Sequence, residues 1–356
     1  MNMKELKKGH ADIENQYVFG NDQSFAKYVI GIGGKIKPLV IPYEHTSGTG
    51  LMNPTIYKLP NGKLLVNIRH VNYTFYHSEK KLLQHQWGPL TYLHPENDKH
   101  LRTRNFFCEM DESLDITSFN EIDTTKFDTY KPMWDFVGLE DVRLVVWDEK
   151  MYATGVRRDT TTNGQGRMEM SELNYSGSKV TEVSRVRIAP PKDQNSYCEK
   201  NWMPVTDMDY TYVKWSNPTE LVKVDPINGN SRTIHISNAV NAPNDFRGGT
   251  QVIPFGDDGH RIALIHEVDL FKSEHGRKDA VYRHRFVIWD KDWNIVKYTN
   301  DFSMMNGHVE FAVGMCFNEK DEILITFGFQ DNAAYILQTT LKDLHNFINI
   351  NCAFRR

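Results

Sequence analysis

The stretch 138–156, GLEDVRLVVWDEKMYATGV, contains the structural unit from which the fold is predicted. Its polar opening, 140–143, leads directly into the apolar run 144–147, which is typical of a strand. The charged residues 148–150 form a predicted turn, and 151–156 runs back as a second strand. This stretch is therefore predicted to be a β-hairpin that opens with charged residues.

The charged opening of this hairpin is the first candidate for chemistry. Side chains alternate along a strand, which predicts that Asp141 and Arg143 share one face, with Glu140 and Val142 on the other. A guanidinium favours the ionised form of a nearby carboxyl group, whereas burial disfavours it, so such a group can be tuned for proton transfer. The alternative interpretation is an ion pair at the end of a strand with a purely structural role.

The same plan recurs along the chain. The other four predicted hairpins are 53–58 with 63–73, 202–205 with 210–215, 250–255 with 261–266, and 309–317 with 322–327. Five copies of a short multi-stranded unit favour an all-β fold, a five-bladed β-propeller with a central active-site channel. The polar residues that open the hairpins would then converge at one mouth of that channel.

The same pattern gives a division of the chain. Residues 1–36 are predicted to be a polar lead-in, 37–345 the five-bladed propeller, and 346–356 a C-terminal tail. The segment 85–135 is rich in charged and loop-forming residues and is predicted to be an insertion between the first two blades. Helical periodicity is weak except at 341–348, where we expect a short helix.

Composition excludes several classes of protein. The chain has 356 residues and a formal net charge of −4, which argues against a general nucleic-acid-binding protein. Its four cysteines are widely separated, so neither a metal site nor a disulfide framework is expected. Residues 1–12 are charged, and no apolar run is long enough to span a membrane. We therefore expect a cytoplasmic protein without a membrane partner, metal or cofactor, whose oligomeric state stays open.

The residues that open the hairpins suggest a ligand rich in hydroxyl groups. Aromatic residues make up 12% of the chain, and aromatic rings, carboxylates, amides and cations together suit a sugar. Each residue taken alone also has a structural explanation, such as a turn, a bulge or a packed ring. The candidates are Asn53, Arg69, Glu140, Asp141, Arg143, Glu199, Lys200, Asn201, Trp202, Arg247, Gly248, Gly249, Thr250, Gln251, His266, Glu267, Glu310 and Asp331.

The order of these elements resembles glycoside hydrolase family 130 over roughly residues 37–340. The resemblance rests most on GLEDVR at 138–143. The supporting elements are Asn53-Pro54, Arg69, EKNWMP at 199–204, IHE at 265–267, Tyr282 and GFQD at 328–331. That family contains inverting phosphorylases and hydrolases of β-mannosides on a five-bladed propeller, and related propellers include β-1,2-mannosyltransferases.

The resemblance implies roles for individual residues. Asp141 matches the general acid, which in those phosphorylases delivers its proton through a sugar hydroxyl, and Arg143 is expected to hold it. Arg69 and Lys200 are expected to bind an anion or sugar, and Asp331 to bind hydroxyls of the sugar in the −1 subsite. We expect the remaining opening residues to line the same site, namely Asn53, Glu140, Asn201 and Trp202.

Two further positions match the family, and two depart from it. His266 and Tyr282 match positions that face phosphate or sugar in the phosphorylases. Val142 stands where the family usually has proline. Lys214 lies in the returning strand where the phosphorylases carry an arginine, so the full set of phosphate-binding cations is not identified.

The sequence thus predicts an enzyme that cleaves or transfers a mannosyl-type residue of an oligosaccharide or glycan by inverting single displacement. The acceptor is phosphate, as a co-substrate, or water. Water requires a second carboxylate as base, for which Glu199, Glu267 and Glu310 are candidates. Two alternatives stay open, a carbohydrate-binding propeller without turnover and a glycosyltransferase that uses an activated sugar donor.

Overall fold

The computed structural model contains five antiparallel sheets arranged as a five-bladed β-propeller, which confirms the predicted fold class. The residues it describes are 24–75, 83–84, 91–93, 100–177, 179–192, 194, 196–256, 258–272 and 278–355. Among them, no helix is long and apolar enough to cross a membrane.

Blade 1 follows a short N-terminal portion. That portion consists of helix α1 (Phe25–Gly31), strand β1 (Lys35–Leu39) and helix α2 (Tyr43–Thr46). The inner strands of blade 1 are β2 (Leu51–Lys58) and β3 (Leu64–Val71). A small separate sheet follows, made of β4 (Thr74–Phe75), β5 (Leu83–Gln84) and β6 (Thr91–Leu93). The outer strands of blade 1 are β7 (Leu101–Met110) and β8 (Ile116–Glu121), and the short β9 (Phe136–Val137) pairs with β7.

The remaining blades each begin with one of the predicted hairpins. Blade 2 consists of β10 (Glu140–Trp147), β11 (Lys150–Arg157), β12 (Arg167–Tyr175) and β13 (Val180–Arg187). Blade 3 consists of β14 (Met203–Pro204), β15 (Thr211–Ser216), β16 (Thr219–Val224) and β17 (Ser231–Ile236). Blade 4 contains β18 (Ile253–Pro254), β19 (Arg261–Lys272), β20 (Lys278–Trp289) and β21 (Ile295–Thr299). Blade 5 contains β22 (Glu310–Phe317), β23 (Glu322–Phe329) and β24 (Ala333–Thr340), followed by helix α3 (Leu341–Ile350) and strand β25 (Cys352–Arg355).

The two ends of the described chain belong to the propeller. Strand β1 pairs with β24, so the outermost strand of blade 5 comes from the start of the chain and closes the ring. Strand β25 pairs with β21 and adds a fifth strand to blade 4. The lead-in predicted at 1–36 therefore includes helix α1 and the first residues of the closing strand, and the tail predicted at 346–356 includes the end of α3 and β25.

The predicted insertion at 85–135 also differs from the structure. Strands β7 and β8 lie within it and form the outer half of blade 1. Their sequences, LRTRNFFCEM and ITSFNE, carry many polar residues because an outer strand has half-buried positions. That polarity made them resemble a loop.

The hydrophobic core is divided into layers between neighbouring blades. Blades 1 and 2 enclose one cluster, blades 2 and 3 a second, blades 3 and 4 a third, blades 4 and 5 a fourth, and blades 5 and 1 a fifth. Inner strands such as β3 are buried along their whole length, because both of their faces pack against other blades. Helices α1 and α3 cover the core between blades 4 and 5, where Phe25 contacts Phe347 with ring centroids 4.7 Å apart.

The centre of the ring is tied together by one buried amide. The side-chain Nε2 of Gln251, in blade 4, donates to Thr55 Oγ1 at 3.0 Å and to the carbonyl oxygens of Ile56 and Leu144 at 2.9 Å each. Its Oε1 accepts from the backbone N–H of Met315 at 3.1 Å. Gln251 thus joins blades 1, 2, 4 and 5 at the axis and is fully buried.

Candidate active site

Polar side chains from all five blades meet where the inner strands begin. Asn53 of blade 1 donates its Nδ2–H to Oδ1 of Asp141 in blade 2 at 2.7 Å. Lys200 before blade 3 and Asp331 after the inner hairpin of blade 5 both interact electrostatically with Asp141 and Glu140. Tyr282 of blade 4 interacts with Asp331 and Asp141. The predicted convergence of the hairpin openings therefore brings these side chains into one cluster.

Several of these residues share an uncommon backbone conformation, which determines the direction of their side chains. Asn53, Asp141 and Asn201 precede or open the inner strands of blades 1, 2 and 3, and all have positive φ, at 45°, 52° and 61°. Asn and Asp tolerate this left-handed region better than other residues with a Cβ. Gln330 and Asp331, at the end of the blade 5 hairpin, share it with φ of 55° and 47°. Repetition of an uncommon conformation in equivalent places indicates a constructed site.

The left-handed residue also changes which side chains share a face. The register of β10 against β11 shifts between Glu140 and Arg143, which forms a bulge at Asp141. Glu140 and Asp141 consequently both reach Arg69, whereas simple alternation placed them on opposite faces. The predicted separation of Glu140 and Asp141 onto opposite faces of the strand is wrong for that reason.

Arg69 is the centre of the charge cluster. Its NH1 donates to Asp141 Oδ1 at 2.9 Å, its NH2 to Glu140 Oε2 at 3.0 Å, and its Nε to Thr103 Oγ1 at 3.1 Å. Burial opposes the charge of Arg69, but Glu140 and Asp141 outweigh it and raise the pKa of the guanidinium. Arg69 is therefore a fixed cation that binds two carboxylates at once.

The three carboxyl groups of the cluster have different proton affinities. Burial raises the pKa of Asp331 to about 6, and repulsion by Asp141 and Glu140 adds to this, while Arg69 only partly offsets it. Burial also raises the pKa of Glu140 despite its bond to Arg69. Burial acts in the same direction on Asp141, but Arg69, Arg143 and the Asn53 amide outweigh it, so the pKa of Asp141 is lowered. Without ligand, Asp141 is the carboxylate that ionises first.

Arg143 holds the backbone of Asp141. Its NH1 donates to the Asp141 carbonyl oxygen at 2.7 Å, and its Nε donates to the Gly249 carbonyl oxygen of blade 4 at 2.9 Å. The guanidinium lies over the ring of Phe311 with 5.5 Å to the centroid. Burial lowers its pKa to about 10, although Asp141 opposes this. Arg143 thus fixes the bend that carries Asp141 and does not bind the carboxylate directly.

The three glutamates considered as bases all accept hydrogen bonds from neighbouring groups, and Glu199 also lines the cavity described below. Glu199 accepts from Ser196 Oγ at 2.8 Å and from the indole N–H of Trp202 at 3.1 Å. Glu267 is bound by Arg285 through both carboxylate oxygens and accepts from Asn244 Nδ2 at 2.8 Å.

Glu310 anchors a loop. Its carboxylate accepts three backbone N–H groups, from Met304 at 2.6 Å and from Met305 and Gly307 at 2.7 Å each. Burial raises its pKa to about 7 although these bonds lower it. Glu310 is fully buried. Glu267 and Glu310 thus hold neighbouring segments in place, whereas Glu199 is held at the wall of the cavity.

Lys200, Asn201 and Trp202 lie at the start of blade 3 and differ in exposure. Lys200 is exposed and makes no hydrogen bond or ion pair with the described residues, while Asn201 is buried. Trp202 is buried, its ring packs against Tyr212, and it belongs to the wall of the cavity described below.

His266 and Tyr282 stack on each other at the blade 4 side, with centroids 5.5 Å apart and planes 13° apart. His266 Nδ1 lies 2.8 Å from the Gly248 carbonyl oxygen, which fixes the proton on Nδ1. Burial, with the neighbouring His284 and the cations Lys200 and Arg247, lowers the pKa of His266 well below its ordinary value. His266 is therefore neutral, and it does not supply a charge for an anion.

One candidate cation at the fourth hairpin opening received no role from the family resemblance. Arg247 precedes the Gly248-Gly249 pair, is half-buried, and interacts electrostatically with His266 and Tyr282. Its backbone forms a two-way bridge with His266, which places it beside the cluster. Its position before a glycine pair at a hairpin opening was the available sequence signal. No group of three or more His, Cys, Asp or Glu within the described ranges is arranged to hold a metal ion.

A cavity of about 670 Å³ adjoins the cluster. Lys200, Asn201, Arg247 and Gly248 form its inner wall. From there it extends across blade 3 to Trp215. Its volume is in the range of small-molecule sites.

Comparison with known proteins adds information on the fold. No protein-family model matches the sequence, and no curated protein matches it. A mannose phosphorylase of Leishmania mexicana, solved with a phosphate ion, superposes with a TM-score of 0.51 and 9% identity, over 95% of this chain and 93% of that one. A glycosyl hydrolase of Bacteroides ovatus gives a TM-score of 0.51 and 13% identity, over 83% of this chain and 85% of that one. The resemblance found in the sequence thus extends to the fold across most of the chain.

Proposed function

We propose that this protein is a carbohydrate-active enzyme that cleaves the bond to a mannosyl-type residue by inverting phosphorolysis. The observation that carries the proposal is the group of three carboxyls, Glu140, Asp141 and Asp331, gathered around Arg69 where the inner strands begin. Such a group can hold a proton for a leaving oxygen and accept hydroxyl hydrogens of a sugar. The mannosyl specificity rests on the resemblance to family 130 and on the fold shared with a mannose phosphorylase.

Phosphate is favoured over water as the acceptor. Attack by water requires a base, and the three candidate glutamates are each bound to structural partners. Phosphate is itself a nucleophilic anion and needs cations instead. Lys200 and Arg247 supply two positive charges beside the cluster, at the inner wall of the cavity.

The proposed reaction is a single displacement. A phosphate oxygen attacks the anomeric carbon, the glycosidic C–O bond breaks on the opposite face, and the leaving oxygen takes one proton from the carboxyl group cluster. Asp141 delivers this proton, through a sugar hydroxyl as the family resemblance implies. Because the three carboxyls interact, the proton belongs to the group as a whole, and the negative charge of bound phosphate raises the proton affinity of Asp141.

The test is turnover of a panel of β-mannosides with and without inorganic phosphate. We expect the wild type to form a sugar 1-phosphate only when phosphate is present. Asp141→Asn should lower turnover on the order of 10²–10⁴-fold while sugar binding is retained, because general acid catalysis contributes that much. The matched control is Asp292→Asn, an exposed aspartate in the blade 4 turn, which should leave turnover unchanged.

Two results would contradict this proposal. Release of free sugar without phosphate would indicate a hydrolase. Sugar binding without turnover in either condition would favour a glycosyltransferase that requires an activated donor or a carbohydrate-binding propeller.

A further inference from the structure

The cavity over blade 3 lies next to the carboxyl group cluster and has an exposed aromatic ring in its wall. Lys200 and Arg247, whose charges act on residues of the cluster, line this cavity together with Trp215. The volume of about 670 Å³ exceeds what a single small group needs and lies within the range of drug-sized ligands.

Trp215 is unusual among the tryptophans of this blade in its exposure. Its relative exposure is 45%, whereas that of Trp202 is 1%. The register of β15 against β16 shifts between Val213 and Trp215, so that Lys214 is buried and Trp215 faces out. An exposed indole on a cavity wall offers an apolar face with negative charge density, onto which the C–H groups of a sugar ring pack well.

The polar side chains in the wall of the cavity are held in place by hydrogen bonds to one another. Glu220 Oε1 accepts from Gln194 Nε2 at 3.1 Å and from Thr233 Oγ1 at 2.7 Å. Gln194 also accepts a hydrogen bond from Lys214 Nζ, which lies 3.9 Å from Glu199 Oε2. Carboxylate, amide and ammonium groups held in this way provide donors and acceptors that lose little entropy when a hydroxylated ligand binds.

We propose that this cavity binds the sugar rings beyond the cleaved bond, on the leaving-group side, with Trp215 as the stacking platform. This inference rests on the proposed function and adds to it a preference for oligosaccharides longer than a disaccharide. The ring next to the cleaved bond lies along the inner wall at Lys200 and Asn201. The following ring packs on Trp215 and forms hydrogen bonds with Glu220 and Gln194.

The test compares sugars of increasing length by calorimetric titration in the presence of phosphate, using Asp141→Asn protein to prevent turnover. The probes are methyl β-mannoside, β-1,2-mannobiose and the corresponding trisaccharide. Trp215→Ala in the same background should weaken binding of the trisaccharide about tenfold, in line with the strength of aromatic contacts, and leave methyl β-mannoside unchanged. Trp215→Phe should restore most of the affinity.

The control variant is Ile236→Ala, an exposed apolar residue on the outermost strand of the same blade and outside the cavity. It should not change the affinity of any of the three sugars. Equal affinities of Trp215→Ala and the parent protein for the trisaccharide would overturn this inference alone. Failure of the parent protein to bind any of the three sugars would overturn both the inference and the proposed function.

Discussion

At the residue scale, the cluster places more negative than positive charge around the guanidinium of Arg69. A single buried guanidinium balances two directly bound carboxylates, and a third carboxyl group, Asp331, lies in the same field. Burial, together with repulsion by Asp141 and Glu140, raises the pKa of Asp331, so this group retains its proton to a higher pH than usual. Removing a negative charge from the cluster should therefore raise the free energy of unfolding, and removing the positive charge of Arg69 should lower it.

Asp331→Asn should stabilise the protein more strongly at pH 8 than at pH 5. The folded state raises the pKa of Asp331 from the ordinary 3.8 to about 6, so it binds this proton more tightly than the unfolded chain does. That contribution to stability is fully present below the ordinary pKa and is lost progressively as pH rises from there through about 6. The gain at pH 8 should be on the order of 2 kcal/mol in the free energy of unfolding, measured by denaturant titration at both pH values. A gain that is the same at both pH values would contradict this prediction.

Arg69→Gln should destabilise the protein by about 3–5 kcal/mol at pH 8, because it leaves two buried carboxylates without their cation. The loss should be smaller at pH 5, where the carboxyls can take up protons. Lys320→Gln, which removes the cation of a fully exposed pair with Glu112, should leave the free energy of unfolding nearly unchanged, because solvent screens such pairs. Both are measured by denaturant titration, and equal losses for the two variants would refute the role assigned to Arg69.

At the element scale, the bends that open the inner strands determine where the functional side chains point. Polar residues at each hairpin opening were predictable from the repeat, and so was their convergence at one end. The bulge at Asp141 was not, because a single left-handed residue reverses the alternation that a strand pattern assumes. The hydrogen bonds of Glu199, Glu267 and Glu310 could not be predicted either. The sequence alone does not show which side chains and backbone groups the fold brings next to them.

Gly328 supports one of these bends from the neighbouring blade. A Cβ at Gly328 would lie 2.7 Å from the backbone nitrogen of Asn53 and closer still to its side-chain Oδ1. Gly328→Ala should therefore displace Asn53 from Asp141, lower kcat, and cost about 1–3 kcal/mol in stability. Gly31→Ala is the control, since a Cβ there meets no atom within 4 Å. Steady-state kinetics and thermal unfolding provide the two measurements, and an unchanged kcat for Gly328→Ala would exclude this positioning role.

At the scale of the whole molecule, the ring is closed by a strand from the start of the described chain. The five hairpins made the number of blades predictable, because each repeats an apolar strand, a turn and a returning strand. The closing strand β1 was not fully predictable, since its partner β24 lies about three hundred residues away and its own sequence, KIKPL, is short and half polar. The outer strands of blade 1 were not predicted because their sequences contain many polar residues.

The closure predicts unequal costs for two outer-strand substitutions. Leu39 of β1 is buried in the core between blades 5 and 1, so Leu39→Ala should cost about 2–5 kcal/mol. Ile236 of β17 is exposed at the outer edge of blade 3, and Ile236→Ala should change stability by no more than about 0.5 kcal/mol. Denaturant unfolding of both variants tests this, and a similar small loss for Leu39→Ala would show that β1 contributes little to closure.

In the proposed reaction, the carboxyl group cluster and its neighbouring cations direct phosphate onto a mannosyl-type residue. The most direct measurement is a ³¹P NMR time course of the wild type with β-1,2-mannobiose and inorganic phosphate. We predict a new resonance of an α-configured sugar 1-phosphate, which grows as the disaccharide is consumed and is absent with Asp141→Asn. Consumption of the disaccharide with only the inorganic phosphate signal present, or no consumption by protein that binds the disaccharide, would contradict the account.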